Sequence, residues 1–362
     1  MKVSLVTSLA GGGPVEHSLV LAAGLRDAGI TVQAVCATPL LAERFAAAGA
    51  TPVLLALRSP LDARRGIALA RIVGASTVIH AQDRRAGLWT RVMPRGRRTA
   101  LVYTVHGLPD PYLPPPAGPP RPGLRAALAY RGLDVALVRR ADAIVTPSAA
   151  VARALVARLG YPEGALTVVP NGVPVAEPVT GGRAVGTLSV LEPVKGLDVF
   201  LEAVRRLASD HPEVPFVIYG AGSQEEALRH QAARLGLAER VRFGGHVHSA
   251  AALTDLAVLA LPSLMENCPM AMLEAMAAGV PVVASRVGGI PELGPPGTAS
   301  LVPAGDPGAL AAALAALLED PEARHTQAAR ARDHVEHEAS QAVMTQRMLA
   351  VYERAGTSRR RL

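Results

Sequence analysis

The chain has 362 residues, half of them apolar and only 3% aromatic, with a net charge of +7. That length suits two domains of roughly 150 to 180 residues, each able to bury its own core. No stretch reaches the roughly 20 consecutive apolar residues of a membrane helix, Met1–Ser8 is not laid out as a signal peptide, and Cys36 and Cys268 stand far apart, so a cytoplasmic, disulfide-free protein is expected.

In chain order, short apolar runs bounded by Gly or Pro predict strands at Lys2–Ser8, Thr31–Thr38, Thr51–Leu57, Ser76–Gln82, Ala100–His106, Ala143–Pro147 and Leu166–Pro170. Segments at helical spacing, such as Glu16–Ala28 and Ala149–Gly160, lie between them. Continuous β-branched runs read as strands buried on both faces of a parallel sheet. Leu108–Gly123 (LPDPYLPPPAGPPRPG) is too proline-rich for a regular element and predicts either a plain connection or a lip over an acceptor site. After the aperiodic stretch Pro170–Arg183 the pattern restarts. Thr187–Leu191, Phe216–Gly220, Val241–Gly245, Ala257–Pro262, Pro281–Ser285 and Ala299–Val302 form a second strand series. Helices are expected at Pro307–Leu318 and Pro321–Arg354, with the Arg359–Arg361 tail disordered.

The fold class that follows is α/β, two doubly wound domains facing a cleft. Residues 1–170 form the N-terminal, acceptor-binding domain and 171–183 an interdomain hinge. Residues 184–340 form the nucleotide-sugar-binding domain, and 341–362 a C-terminal helix and basic tail packing back on the first domain.

Basicity is carried almost entirely by arginine; Lys2 and Lys195 are the only lysines. This matches GC-rich bacterial coding, and with few aromatic platforms for base stacking no nucleic-acid partner is expected. A lysine that persists among arginines draws attention to Lys195. The first strand–helix turn, Ser8–Pro14 (SLAGGGP), offers glycine backbone and a helix N-terminus to a phosphate. Its spacing is not G-x-G-x-x-G, and no acidic residue ends the second strand, which argues against a nicotinamide dinucleotide. The most informative segment is Leu261–Gly289, LPSLMENCPMAMLEAMAAGVPVVASRVGG. Glu266 lies on a loop, Pro269 suits a first helical position, and Glu274 lies one to two turns into the helix. The amides near Met270 and Ala271 are then open to an anion. A loop carboxylate, a helix-end phosphate site and a helix carboxylate suit a sugar hydroxyl, a diphosphate and a ribose diol.

This segment resembles the E-x7-E signature of the family-4 retaining glycosyltransferases, which have the GT-B fold. GGGPVEHSLVLAAGLRDAGI, VYTVHG, VVPNGV, PVKGLDVFLEAV, VIYGAGSQEEAL, VRFGGHV and VASRVGGIPEL appear in the order of that family, so the resemblance covers nearly the whole chain. It implies that Glu274 accepts from the ribose hydroxyls, Glu266 with Asn267 holds the donor sugar, and Lys195 neutralises the diphosphate. His106 would contact the sugar near the reacting carbon, Gly12 and Gly13 would bring amides to the phosphate, and the backbone around His246–Val247 would read the base. Asp83, Arg84 and Asp110 are the acceptor candidates. Two positions depart from the family: Asn267-Cys268-Pro269 replaces the usual glycine and aromatic, and Val190 stands where an arginine is common, which leaves Arg183 or Arg286 as substitutes or a site that works with one cation and helix dipoles.

The implied reaction is hexosyl transfer with retention from a nucleotide diphosphate sugar, UDP first and GDP next, to an acceptor hydroxyl. No D-x-D or His/Asp ligand cluster is present, so no metal site and no cofactor are expected, and Lys195 with helix N-termini would meet the leaving-group charge. The acceptor is a small molecule or a lipid-linked one. Arg84–Arg98 (RRAGLWTRVMPRGRR) carries six arginines and the only tryptophan; it reads as a solvated basic face or as a peripheral contact with an anionic membrane. A nucleotide-sugar epimerase and a non-catalytic GT-B relative acting as a binding or activator subunit remain the alternatives.

Overall fold

In the computed structural model, which describes residues 1–57, 62–108 and 132–360, every apolar run read above as a strand falls on one. The chain divides into two units: unit 1 takes the described residues up to Gly172 and again from Gln341, and unit 2 takes Val173–Ser340.

Unit 1 runs β1 (Lys2–Val6), α1 (Gly13–Asp27), β2 (Thr31–Cys36), α2 (Pro39–Ala47), β3 (Thr51–Leu54), α3 (Ala63–Val73), β4 (Val78–Ala81), α4 (Arg84–Val92), β5 (Ala100–Thr104), α5 (132–138), β6 (Ala143–Thr146), α6 (Ala149–Ala154) and β7 (Leu166–Val168). Its sheet is parallel, in the order β3-β2-β1-β4-β5-β6-β7. Chain direction across the sheet reverses between β1 and β4, and such a switch point opens a crevice at the carboxyl ends of the strands. Strand alternation sorts the side chains onto two faces. Val3, Leu5, Val78 and Val102 share a core with Leu21 and Leu25 of α1, whereas Val6, Ile79, Leu101 and Tyr103 pack with Trp89 of α4.

Unit 2 runs β8 (Ala184–Leu188), α7 (Leu197–Leu207), β9 (Phe216–Tyr219), α8 (Glu225–Arg234), β10 (Val241–Gly245), α9 (Ser249–Asp255), β11 (Leu256–Leu261), α10 (Met270–Ala277), β12 (Val282–Ser285), α11 (Ile290–Leu293), β13 (Ser300–Val302), α12 (Pro307–Glu319) and α13 (Pro321–Glu338). Its parallel sheet has the order β10-β9-β8-β11-β12-β13, with the switch point between β8 and β11. Phe200, Leu201 and Val204 of α7 pack with Leu310 and Leu314 of α12 in its core.

The chain then returns to unit 1 as α14 (Gln341–Arg360). Met344, Met348, Val351 and Tyr352 of this helix join the core of β1 and α1. The single helix expected over Pro321–Arg354 is therefore two. Val173 N–H donates to the Ala339 carbonyl at 3.0 Å and Val173 bridges to Ser340, which pairs the backbone elsewhere and stops α13. The tail expected to be disordered begins inside α14: Arg359 lies 3.6 Å from Asp142, while Arg361 falls outside the described residues. Strand β8 lies three residues earlier than expected and ends at Leu188, beyond which Leu191 turns off to donate to the Ala221 carbonyl at 3.0 Å.

The Arg84–Arg98 stretch is less of a surface than its composition suggests. Trp89 is buried, and Arg91, 1% exposed, is held by Asp134 at 2.6 Å. Arg95 pairs with Asp142 at 3.3 Å, which leaves Arg84, Arg85, Arg97 and Arg98 exposed. None of the described helices is long and apolar enough to cross a membrane.

Candidate functional site

The carboxyl edge of the unit 2 sheet collects the expected donor residues. After β8 the chain makes a 3-10 turn, Pro193–Lys195, and passes through Gly196 at φ +59° into α7. After β11 it forms the loop that carries Glu266. The two connections are strapped together across the switch point, with Leu264 N–H donating to the Val194 carbonyl at 2.8 Å. Glycine is required at Gly196 twice over, by its left-handed backbone and because a Cβ would run into the Pro262 carbonyl. The result is that Lys195 Nζ donates to Glu266 Oε1 at 2.6 Å. Ser263 Oγ donates to the same oxygen at 2.9 Å. Glu266 is 8% exposed, so its charge is balanced by an ammonium and a hydroxyl on one oxygen. Among the described residues no hydrogen bond falls on Oε2, which is left to accept from a ligand.

Behind Glu266, the Gly289 N–H donates to its carbonyl at 3.3 Å. Gly288, at φ +52°, comes so close that a Cβ would collide with that same carbonyl oxygen. Ahead of Glu266, Asn267 is half-buried and Cys268 buried. Helix α10 begins at Met270, with Pro269 as the residue before it rather than its first residue, at φ −66° and ψ 119°. Pro269 brings no side-chain cap to α10, so the N–H groups of Met270, Ala271 and Met272 present the positive end of the helix. Glu274, half-buried, is the fifth residue of α10. Val247 follows the carboxyl end of β10, on the same edge. Arg183 precedes β8 and so lies at the opposite edge, about 16 Å away along a five-residue strand. Arg286, just past β12, lies on the edge of Lys195.

In unit 1 the glycine loop opens α1. Gly12 precedes the helix at φ +90°, and no side chain caps it. A Cβ on Gly11, Gly12 or Gly13 would meet nothing within 4 Å. Close helix–sheet packing therefore does not account for the glycines; the left-handed turn at Gly12 and open access to the backbone do.

His106 stands two residues past β5, and its Nε2 lies 3.3 Å from Gln82 Oε1. His17 of α1 packs edge-on against it, with ring centroids 4.9 Å apart and planes at 71°. The sequence reading missed the residues behind it. His80 Nδ1 is 2.7 Å from the Tyr352 hydroxyl and 3.2 Å from Gln82 Nε2, and His80 Nε2 is 2.7 Å from Thr104 Oγ1. Strand alternation explains the convergence: 78, 80 and 82 in β4 and its extension, and 102, 104 and 106 in β5 and its extension, face α1 and α14, with His80 in register with Val102. Burial keeps all three rings neutral. It lowers His17 to about 4 and His80, also beside His17, to about 3; it holds His106, beside both, well below the usual histidine range.

Asp83, an acceptor candidate, has its carboxylate engaged within unit 1. Its carboxylate accepts from Thr7 Oγ1 at 3.0 Å, Ser8 Oγ at 2.7 Å and the Ala86 N–H at 3.0 Å. It caps α4 and ties down the loop after β1, which occupies both oxygens. Arg84 is exposed on the first turn of α4. Asp110 and most of the proline-rich loop lie outside the described residues.

Two family models match the chain, between them most of its length: "Glycosyltransferase Family 4" over residues 11–177 and "Glycosyl transferases group 1" over 182–320. The D-inositol 3-phosphate glycosyltransferase of Streptomyces scabiei is 31% identical over 280 residues, 74% of this chain and 53% of that protein. The phosphatidyl-myo-inositol mannosyltransferase of Mycolicibacterium smegmatis is 36% identical over 200 residues, 51% of each. The chain thus spans about half the length of these curated relatives. Among solved structures, Anabaena HepE in complex with UDP-glucose superposes with a TM-score of 0.83 over 98% of this chain and 99% of its own, at 21% identity. With two parallel-sheet units in the order found here and these matches, the chain belongs to the family-4 glycosyltransferases of the GT-B fold.

Proposed function

We propose that the protein transfers a hexosyl group, with retention, from a nucleotide diphosphate sugar to an acceptor hydroxyl. UDP is the first candidate nucleotide, GDP the next. The observation that carries this reading is the Lys195–Glu266 pair at the switch point of the unit 2 sheet, beside the uncapped start of α10. The ribose diol would donate to Glu274, the diphosphate would take the α10 amides and Lys195, and the sugar would donate a hydroxyl to Glu266 Oε2, with Asn267 beside it. Val247 backbone would lie against the base. The relative crystallised with UDP-glucose supports UDP, and the mannosyltransferase that acts on phosphatidyl-myo-inositol supports a lipid-linked as well as a small-molecule acceptor. Any contact with an anionic membrane would rest on Arg84, Arg85, Arg97 and Arg98, and would show as salt-sensitive sedimentation with anionic vesicles.

In the transfer, the bond from the anomeric carbon to the phosphate oxygen breaks on the face where the acceptor oxygen bonds. The acceptor proton passes to the departing phosphate. Lys195 and the helix N-terminus hold the charge that develops there, a task in which one donor is worth about 3 to 4 kcal/mol. The test is thermal unfolding with UDP, GDP, ADP, dTDP and their sugar conjugates. A ligand at 100 times its dissociation constant adds about 2.7 kcal/mol to the folded state. Stabilisation by one nucleotide family, lost in Glu274→Ala, supports the reading; none with any sugar nucleotide refutes it. An inverted product refutes retention, and conversion of the donor to an isomer without acceptor identifies an epimerase instead.

A further inference from the structure

The buried polar chain behind His106 fixes which ring nitrogen of that histidine carries the proton. We infer that Gln82 is a positioning residue that locks His106 as the Nε2–H tautomer and leaves Nδ1 as the acceptor, with His80 and Tyr352 of α14 holding Gln82 in that orientation.

The polar chain runs inward from Tyr352 of α14 to His80, Gln82 and His106. His80 is fully buried and neutral, so one ring nitrogen donates and the other accepts. The Gln82 amide nitrogen, a donor only, lies 3.2 Å from His80 Nδ1. It also lies 3.5 Å from His80 Nε2, and the shorter contact makes Nδ1 the acceptor, toward which the Tyr352 hydroxyl points at 2.7 Å. The proton of His80 then sits on Nε2 and goes to Thr104 Oγ1 at 2.7 Å. With its nitrogen committed to His80, Gln82 turns its carbonyl oxygen to His106 Nε2, 3.3 Å away. A carbonyl oxygen only accepts, so His106 Nε2 must donate. Turning the Gln82 amide over would set its carbonyl oxygen against the bare His80 Nδ1, acceptor against acceptor, and would require the His80 proton to move to Nδ1 with Thr104 donating to Nε2. His17 fixes the plane of the His106 ring by its edge-on contact.

A ligand hydroxyl meeting His106 must therefore donate to Nδ1. This consequence rests on the reading of His106 as a donor-site residue; the tautomer itself does not. Helix α14, the last element of the chain, so becomes part of the site's support although Tyr352 is distant in sequence.

Long-range ¹⁵N–¹H correlation spectra of the full chain, labelled at histidine, read the tautomer directly. The His106 resonances are assigned by their loss in His106→Asn. The expected spectrum has His106 protonated at Nε2 alone and unchanged between pH 6 and 8. Gln82→Met should shift it to a mixture of tautomers. Gln82→Glu places a carboxylate at His106 and removes the donor to His80, so His106 should become titratable, and kcat/KM should gain an acid limb that Gln82→Met lacks. A wild-type His106 protonated at Nδ1 overturns the inference whether or not the Gln82 variants fold, and so does an Nε2–H tautomer that persists in Gln82→Met. A tautomer that shifts in Gln82→Met while kcat and KM for the donor stay unchanged overturns the positioning role and, separately, the placing of His106 at the reacting sugar.

Discussion

Acidification should unfold unit 1 well before ordinary carboxylate titration accounts for it. His17 and His80 are fully buried and neutral, with pKa values of about 4 and about 3 against about 6.5 in an unfolded chain. Between those values the unfolded state binds protons that the folded state refuses, so stability rises with pH across this window. It is complete above about 6.5 and falls as pH drops toward 4 and then 3. At pH 5 each histidine is still neutral in the fold and almost fully charged when unfolded, which removes about 2 kcal/mol per ring relative to pH 7, about 4 kcal/mol together. That is a large part of a typical domain's 5 to 15 kcal/mol. The chain's single tryptophan, Trp89, is buried in the unit 1 core, so tryptophan fluorescence follows this unit alone. Urea titrations at pH 7, 6 and 5 give the slope. His106, buried and held well below the usual histidine range, adds to the same loss, so in His17→Phe the acid loss should shrink by about a third. At pH 7 the variant should lose little stability, the Asn171 side chain being the one polar partner of the His17 ring among the described residues. Equal unfolding midpoints at pH 7 and 5, or an undiminished acid loss in His17→Phe, would refute the reasoning.

Three further outcomes follow from individual contacts. Lys195→Met should lower donor turnover by about 10²–10³-fold, and it leaves the buried Glu266 with Ser263 as its remaining described partner; steady-state kinetics with the sugar nucleotide checks this. Gly288→Ala forces a left-handed backbone and a collision with the Glu266 carbonyl, so the thermal shift by nucleotide should disappear while Trp89 fluorescence of unit 1 stays native. Asp83→Ala removes the cap of α4 and the tie to Thr7 and Ser8; it should cost unit 1 about 1 to 3 kcal/mol in urea, with KM for the acceptor unchanged in the folded protein.

The strands were legible because strands buried on both faces are continuous apolar runs, and parallel strands need them at regular intervals. Helix limits were less so. Nothing in Glu338-Ala339-Ser340-Gln341 breaks a helix by composition; the break is imposed by Val173, far away in sequence. Arg91 and Trp89 read as surface residues in a basic stretch, and their burial depends on Asp134 and Tyr161, which no local pattern announces: Arg91 donates to Asp134 at 2.6 Å and the Tyr161 hydroxyl to the same carboxylate at 2.5 Å. For the site, the resemblance led to Lys195, Glu266 and His106, and the fold explains why they lie at strand carboxyl ends. It could not lead to Tyr352, 272 residues from His80. A signal for His80 and Gln82 was present all the same. Two polar residues alternate at the end of an apolar run, where the 78-80-82 series meets 102-104-106 on one face.

The missing arginine at Val190 can now be weighed by charge and position. Lys195 is already paired with Glu266, so before a diphosphate arrives the two contribute no net charge. A helix N-terminus supplies roughly half an elementary charge, short of what a diphosphate carries. On the proposed reading, a second cation from unit 2 would have to reach the carboxyl edge of its sheet, which holds Lys195, Glu266 and the start of α10. Arg183 is excluded by lying a strand's length away. Arg286 is exposed, two strands from β8 and about 10 Å across, and its guanidinium donates to the Leu301 carbonyl at 3.4 Å, a contact weak enough to exchange for phosphate. Nucleotide diphosphate binding by Arg286→Ala and Arg183→Ala separates the two. Arg286→Ala should weaken it about tenfold or more, with a shallower salt dependence, and Arg183→Ala should leave it unchanged. Equal binding by both variants and the wild type would mean that helix dipoles and Lys195 suffice, with Lys195 leaving Glu266 when the diphosphate binds.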